Sequence, residues 1–252
     1  MNTETIRTST ISEIVEQHPG AIQVLEKLHV DYCCNAKLPF TEACKRADVN
    51  EAVVIAALGS SPTRYTASAI RAQDWSLDLL TNFIVQNHHQ YVKRAIPEIR
   101  NVLEKVCAKH GANHPELMEI QQQFKTLAKE LESHMHDEEF VMFPAVQALV
   151  KESTNLMPFG DSERQTKRSL LPEVTTLEAE HELAGHCLSR MRTASRDYAL
   201  PADACNAFTL LYQRLQEFES DLHVHIHLEN NILFPKALTL QARQQSKPLY
   251  VN

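Results

Sequence analysis

His134-Met135-His136-Asp137-Glu138-Glu139-Phe140-Val141-Met142-Phe143-Pro144 has a counterpart later in the chain, His225-Ile226-His227-Leu228-Glu229-Asn230-Asn231-Ile232-Leu233-Phe234-Pro235. With His134 aligned on His225, the second histidines (His136, His227), the glutamates (Glu138, Glu229) and both Phe-Pro pairs fall into register. Residues four apart on a helix share a face, so each copy aims an imidazole and a carboxylate at one spot. Two such helices facing each other would build a site for a pair of metal ions.

The stretches around these copies carry the periodicity of core-facing helices. Leu127, Leu131, His134, Glu138 and Val141 form one stripe, and Phe218, Leu222, His225, Glu229 and Ile232 form another. A His beside a Glu on such a stripe is costly to bury unless each finds a partner. Two further stripes each carry a histidine: Leu80, Ile84, His88, Tyr91 and Ala95, then Val174, Leu177, His181, Ala184 and Leu188. Successive histidines are 46, 47 and 44 residues apart, so the first two helices map onto the last two as a repeat of about ninety residues. Each half would then donate two histidines and one glutamate. His89, His136, His186, His223 and His227 are expected on the surface or behind the ligands.

The chain has 252 residues, a formal net charge of −7 and only five glycines. Long runs of helix formers with so little glycine predict an all-α fold. Helical patterns run over about 74–108, 114–150, 173–198 and 202–242, as expected of an antiparallel four-helix bundle. Ahead of them, residues 1–60 read as a small helical domain with helical runs over 11–30, broken or bent at Pro19-Gly20, and over 50–58. Residues 61–73 read as a linker, and 74–246 as the bundle. No basic patch supports nucleic-acid binding, no apolar run reaches membrane-spanning length, and the polar start is unlike a signal peptide. Six cysteines (Cys33, Cys34, Cys44, Cys107, Cys187, Cys205) follow no disulfide or CxxC spacing, which predicts reduced thiols and a cytoplasmic location. Cys44, Cys107, Cys187 and Cys205 sit in helical patterns and read as packing residues.

Four histidines with two glutamates form a nitrogen-and-oxygen donor set suited to two iron ions, with manganese also open. Structural zinc would call for a closed site, often with thiolates, and calcium or magnesium for oxygen donors. A ferritin-type Glu-x-x-His pattern occurs once beside a ligand, at Glu178 and His181, without a counterpart before His88.

These residues resemble the repair-of-iron-centres family, in which a small N-terminal cysteine domain is joined to a hemerythrin-like di-iron bundle. The resemblance rests on Asp31-Tyr32-Cys33-Cys34, His88 ahead of Ile96-Pro97-Glu98, Ser133-His134 to Glu138-Glu139, Glu180-His181-Glu182, and the Leu228-Glu229-Asn230-Asn231-x-Leu233-Phe234-Pro235 ending. It implies a non-haem di-iron site, oxo- or hydroxo- and carboxylate-bridged, with ligands His88, His134, Glu138, His181, His225 and Glu229. It further implies repair of iron–sulfur clusters damaged by nitrosative or oxidative stress, by iron donation or by nitric oxide chemistry, on iron–sulfur client proteins. Cys33 and Cys34 would take part in that chemistry. The alternative reading is a hemerythrin-type sensor or carrier that binds oxygen or nitric oxide without turnover. An exposed cysteine domain could also support a homodimer. Two departures from the family stand out. Asn35-Ala36 follows the cysteine pair where two glycines are usual, so the loop is expected to differ in shape. The stretch 151–171 is longer than the usual middle connection.

Overall fold

The computed structural model describes residues 3–18, 20–61, 71–153 and 169–246. Much of the expected linker and of the 151–171 insertion lies outside the described residues. By their contacts these residues form two compact units. One holds the described residues up to Trp75 together with Ile226–Ile232. The other holds Ser76–His225 and the residues from Leu233 onward.

The first unit is built from short helices: α1 (Thr3–Thr8), α2 (Ile11–Gln17), α3 (Ala21–Lys27), α4 (Phe40–Arg46) and α5 (Glu51–Ser60). Thr10 starts α2 with a capping box, its hydroxyl accepting from the Glu13 amide while the Glu13 carboxylate accepts from the Thr10 amide. The run over 11–30, expected to break or bend at Pro19-Gly20, is two helices, α2 and α3, and the sequence patterns did not foresee α1 or α4 as separate elements. Helices this short are marginal alone. They hold because Ile11, Ile14, Leu25, Phe40, Val54 and Leu58 close one apolar core.

Four helical rods carry the inward stripes; all their residues belong to the second unit except Ile226–Ile232 of the fourth, which group with the first. The first comprises α6 (Leu77–Phe83), a π-helical segment Ile84–His89, and α7 (Gln90–His110). The second comprises α8 (Glu116–Asp137), a π segment Glu138–Met142, and α9 (Phe143–Ser153). The third is α10 (Leu171–Ala194), which packs along α8. The fourth comprises α11 (Asn206–Leu228), a π segment Glu229–Leu233, and α12 (Phe234–Gln245). Among the described residues the one β-type pairing is an isolated bridge between Thr10 and Pro39, so the chain is all-α.

The π segments correct the sequence reading. Each adds a residue to one turn, so every side chain beyond it is rotated relative to an unbroken α-helical stripe. Val141, expected inside, is 46% exposed, and Met142 takes the core position at 2%. The π segments before Phe143-Pro144 and Phe234-Pro235 have a local cause. A proline nitrogen cannot bond the carbonyl four residues back, and its ring crowds that carbonyl, so the ladder shifts there instead of breaking.

The third rod also stops earlier than expected. The pattern predicts helix to 198, but Arg196, Asp197 and Tyr198 all take positive φ (52°, 61° and 55°). Tyr198 swings in to donate from its hydroxyl to buried Glu219 at 2.8 Å, and Arg192 Nε donates to the same carboxylate at 3.0 Å. That buried, doubly bonded carboxylate stabilises a backbone turn that side chains normally avoid.

Candidate metal centre

Two groups of donors meet in the interior. His89, Glu138, His225 and Glu229 form one; His134, Glu138, His181 and Glu229 form the other, with all members of each group within 4.8 Å and fully buried. The two glutamates are common to both groups. Glu138 Oε2 lies 3.3 Å from His89 Nε2 and 3.3 Å from His134 Nε2, so one carboxylate faces both halves. Within each half the imidazoles approach by their Nε2 atoms, at 3.2 Å for His89 and His225 and 3.0 Å for His134 and His181. That is about the separation of neighbouring ligands on one ion with bonds of about 2.1 Å. Glu229 stands four residues beyond His225 on the same helical rod. Two buried carboxylates among four imidazoles are hard to sustain without a cation, so the donor set fits bound metal.

The structure thus brings together five of the six residues expected as ligands: His134, Glu138, His181, His225 and Glu229. The sixth position is filled by His89, not His88. His88 turns its Nδ1 to Asp221 at 3.0 Å and stacks on His225 at 5.4 Å between ring centroids, belonging to neither group. The cause is the π segment Ile84–His89, which puts the residue five beyond Ile84 on the inward face. The sequence holds a signal for this. His89 precedes His181 by 92 residues and His134 precedes His225 by 91, whereas His88 breaks the repeat further at 93.

Carboxylates behind these candidate donors also escaped the pattern reading. His134 Nδ1 donates to Glu180 Oε2 at 2.7 Å, leaving Nε2 for the centre. His89 Nδ1 donates to Glu139 Oε1 at 2.8 Å, and Lys93 Nζ holds the same oxygen at 2.7 Å. Burial pushes the Glu139 carboxyl up, but the bonds from Lys93 and His89 outweigh it and lower its pKa overall. Such partners fix the tautomer and aim of a metal-binding imidazole and raise its basicity.

The cysteine pair belongs to the first unit. The Asp31 carboxylate accepts from the Cys33 and Cys34 amides at 2.9 and 3.0 Å and from the Asn35 side chain at 2.7 Å. Burial opposes its ionisation, yet these bonds leave its pKa lowered. Both cysteines are free thiols with sulfurs 3.7 Å apart, far beyond a disulfide bond of about 2.05 Å. Cys33 is buried and its thiol is pushed well up, by its hydrogen bond with Cys34, by burial and by the nearby negative groups. Cys34 is partly exposed. Asn35 and Ala36 both keep negative φ, so this loop does not use the freedom two glycines would give. Within the same unit Asn231 Nδ2 donates to the Cys33 carbonyl at 3.1 Å and lies 3.1 Å from His227 Nδ1. Burial lowers His227 to about 4, so the ring is neutral and can accept that amide. His227, expected on the surface or behind the ligands, is a buried support of the loop.

Residues 82–237 match the Hemerythrin HHE cation binding domain, which covers more than half of the chain. The chain belongs to this hemerythrin family. Residues 7–61 match a second domain, ScdA_N, described as a domain of unknown function. Over 235 residues the chain is 28% identical to the iron-sulfur cluster repair protein YtfE of Yersinia pestis (strain Pestoides F), covering 92% of this chain and 97% of that protein. The same figures hold for the protein of that name from Yersinia pseudotuberculosis serotype IB (strain PB1/+). The hemerythrin-type bundle is thus a cation-binding domain whose buried His and Glu donors are suited to iron. Among the described residues no helix is long and apolar enough to cross a membrane.

Proposed function

We propose that this chain binds two iron ions, one in each donor group, and serves in the repair of iron–sulfur clusters damaged by nitrosative or oxidative stress. The observation that carries the reading is the Glu138 carboxylate 3.3 Å from an imidazole of each group, which suits a bridge between two ions. His89, His134, His181 and His225 would hold the ions, and Glu138 and Glu229 would bridge them. The relatives named for cluster repair cover nearly the whole chain, both matched domains included, which favours repair over a sensor built on the bundle alone.

When bound, an iron pair with few protein ligands supplies open coordination positions for nitric oxide or oxygen and an exchangeable store of iron. The protein's own groups set the conditions. Glu180 and Glu139 orient His134 and His89, while the surrounding apolar stripes exclude water and raise the cost of an empty donor set. Of the two cysteines, Cys34 is the one placed to meet a client, since Cys33 is buried and held as a thiol. Reduced thiols throughout suit a cytoplasmic protein.

The test is recovery of an iron–sulfur hydro-lyase whose cluster has been damaged by nitric oxide. Iron-loaded protein should restore its activity, and Glu229→Leu should not. Reversible nitric oxide binding with no recovery by the intact protein would favour the sensor or carrier instead.

A further inference from the structure

A second group of donors lies within the bundle unit and shares no residue with the buried centre. His110 ends α7, and His114 follows on the turn that leads to α8. Asp203 and Cys205 lie in the connection just before α11. The sequence pattern places Cys205 inside a helix as a packing residue; the structure puts it ahead of the first turn, partly exposed. His110, His114 and Asp203 each offer a donor atom, all within 4.8 Å of one another. His114 Nε2 is 3.0 Å from Asp203 Oδ1, and His110 Nε2 is 3.1 Å from Cys205 Sγ.

From these positions we propose that His110, His114, Asp203 and Cys205 form a mononuclear zinc site. Two imidazoles, a carboxylate and a thiolate are a tetrahedral zinc set, and the thiolate disfavours calcium and magnesium. With bonds of about 2.0–2.3 Å, tetrahedral donors stand roughly 3.3–3.5 Å apart; His110, His114 and Asp203 already form a close group, and Cys205, which meets it through His110, would have to swing in to complete the set. The surroundings are arranged for the task. The Asn113 and His114 amides both return to the His110 carbonyl, at 3.0 and 2.9 Å, which folds the turn so that the two rings converge. Phe208 packs edge-on against both imidazoles, at 5.4 and 5.3 Å. Glu116 accepts from His114 Nδ1 at 2.9 Å, the outer carboxylate that metal-binding histidines usually have, and leaves Nε2 for the ion.

Zinc binding would displace the proton shared between His114 and its carboxylates and the proton of the Cys205 thiol, both passing to solvent. The thiol is disposed to lose it. Amides at the start of α11, from Phe208 and Ala207, together with His110, bring its pKa to about 7. The bound ion would tie the α7–α8 turn to the chain entering α11, closing one end of the unit with a metal clip.

The proposal is independent of the iron reading, and one experiment keeps the two apart. Zinc is titrated into the full-length, iron-loaded protein against a chromophoric chelator, with retained iron measured in parallel. Wild type should take up one zinc without losing iron. Asp203→Ala and His114→Ala should weaken that step by at least about tenfold, the smallest loss expected even for an outer partner. Asp203 is exposed, so its variant tests the site without threatening the fold. Cobalt in place of zinc should give a thiolate charge-transfer band that Cys205→Ser abolishes. Equal zinc binding by wild type and both variants would overturn the site, leaving the cluster a hydrogen-bond network. A cobalt band unchanged in Cys205→Ser would remove the thiolate from the set.

Discussion

Glu180 accepts a 2.7 Å hydrogen bond from Nδ1 of His134, and through that single contact a carboxylate that is not itself a ligand sets which nitrogen of the imidazole faces the centre. Glu180→Ala should leave the helices intact by circular dichroism yet weaken metal binding by about tenfold to hundredfold. Competition with a metallochromic chelator measures this directly. A Glu180→Gln variant, which keeps an acceptor without the charge, should lose less.

The neighbouring pair His88 and His89 separates the structural account from the simple stripe. His89→Leu should abolish binding at its half of the centre. His88→Leu should retain metal and lose stability of about 1–3 kcal/mol, from the Asp221 carboxylate left without its partner. Iron content and thermal unfolding of the two variants decide the matter, and the reverse pattern would restore His88 to the ligand set.

Cys33 should behave as a poor nucleophile. Its thiol is raised, so alkylation in the folded protein should be slow at neutral pH and accelerate as the medium becomes strongly basic. Asp31→Asn removes one of the negative groups that raise it and should speed the reaction. Peptide mapping after timed iodoacetamide labelling distinguishes Cys33 from Cys34.

Asp31 also gives a pH signature of the loop. Its folded pKa lies below the unfolded value of about 3.9, so its stabilisation is complete above that range and fades as pH falls through the depressed value. The gap in Tm between metal-free wild type and Asp31→Asn should therefore narrow as pH is lowered from about 6 toward about 3.

Packing within the bundle makes its own prediction. Phe124 is fully buried and meets Phe218 edge-on at 5.7 Å. Phe124→Ala should cost about 3–5 kcal/mol, seen in chemical denaturation followed by far-UV circular dichroism.

The repeated His-x-x-x-Glu pattern and the long stripes made the bundle and five of its candidate ligands legible, because both follow from a side-chain period of 3.6 residues. What a fixed period cannot carry is a change of period. The π segment at Ile84–His89 exchanges His88 for His89, and the one at Glu138–Met142 exchanges Val141 for Met142. Glu180 and Glu139 were hidden for another reason: each looks like an ordinary polar residue beside a ligand until a facing helix supplies its imidazole. The stop at Ala194 likewise depends on Glu219, twenty-one residues beyond Tyr198 in sequence.

Metal analysis and optical spectra of anaerobically purified protein, before and after nitric oxide, test the central claim most directly. One iron for each donor group, hence two per chain, with a spectrum that changes on nitric oxide, is the predicted result. Both should be lost in His134→Leu and Glu229→Leu. An iron-replete preparation that yields no iron, or variants that keep their full complement, would contradict it.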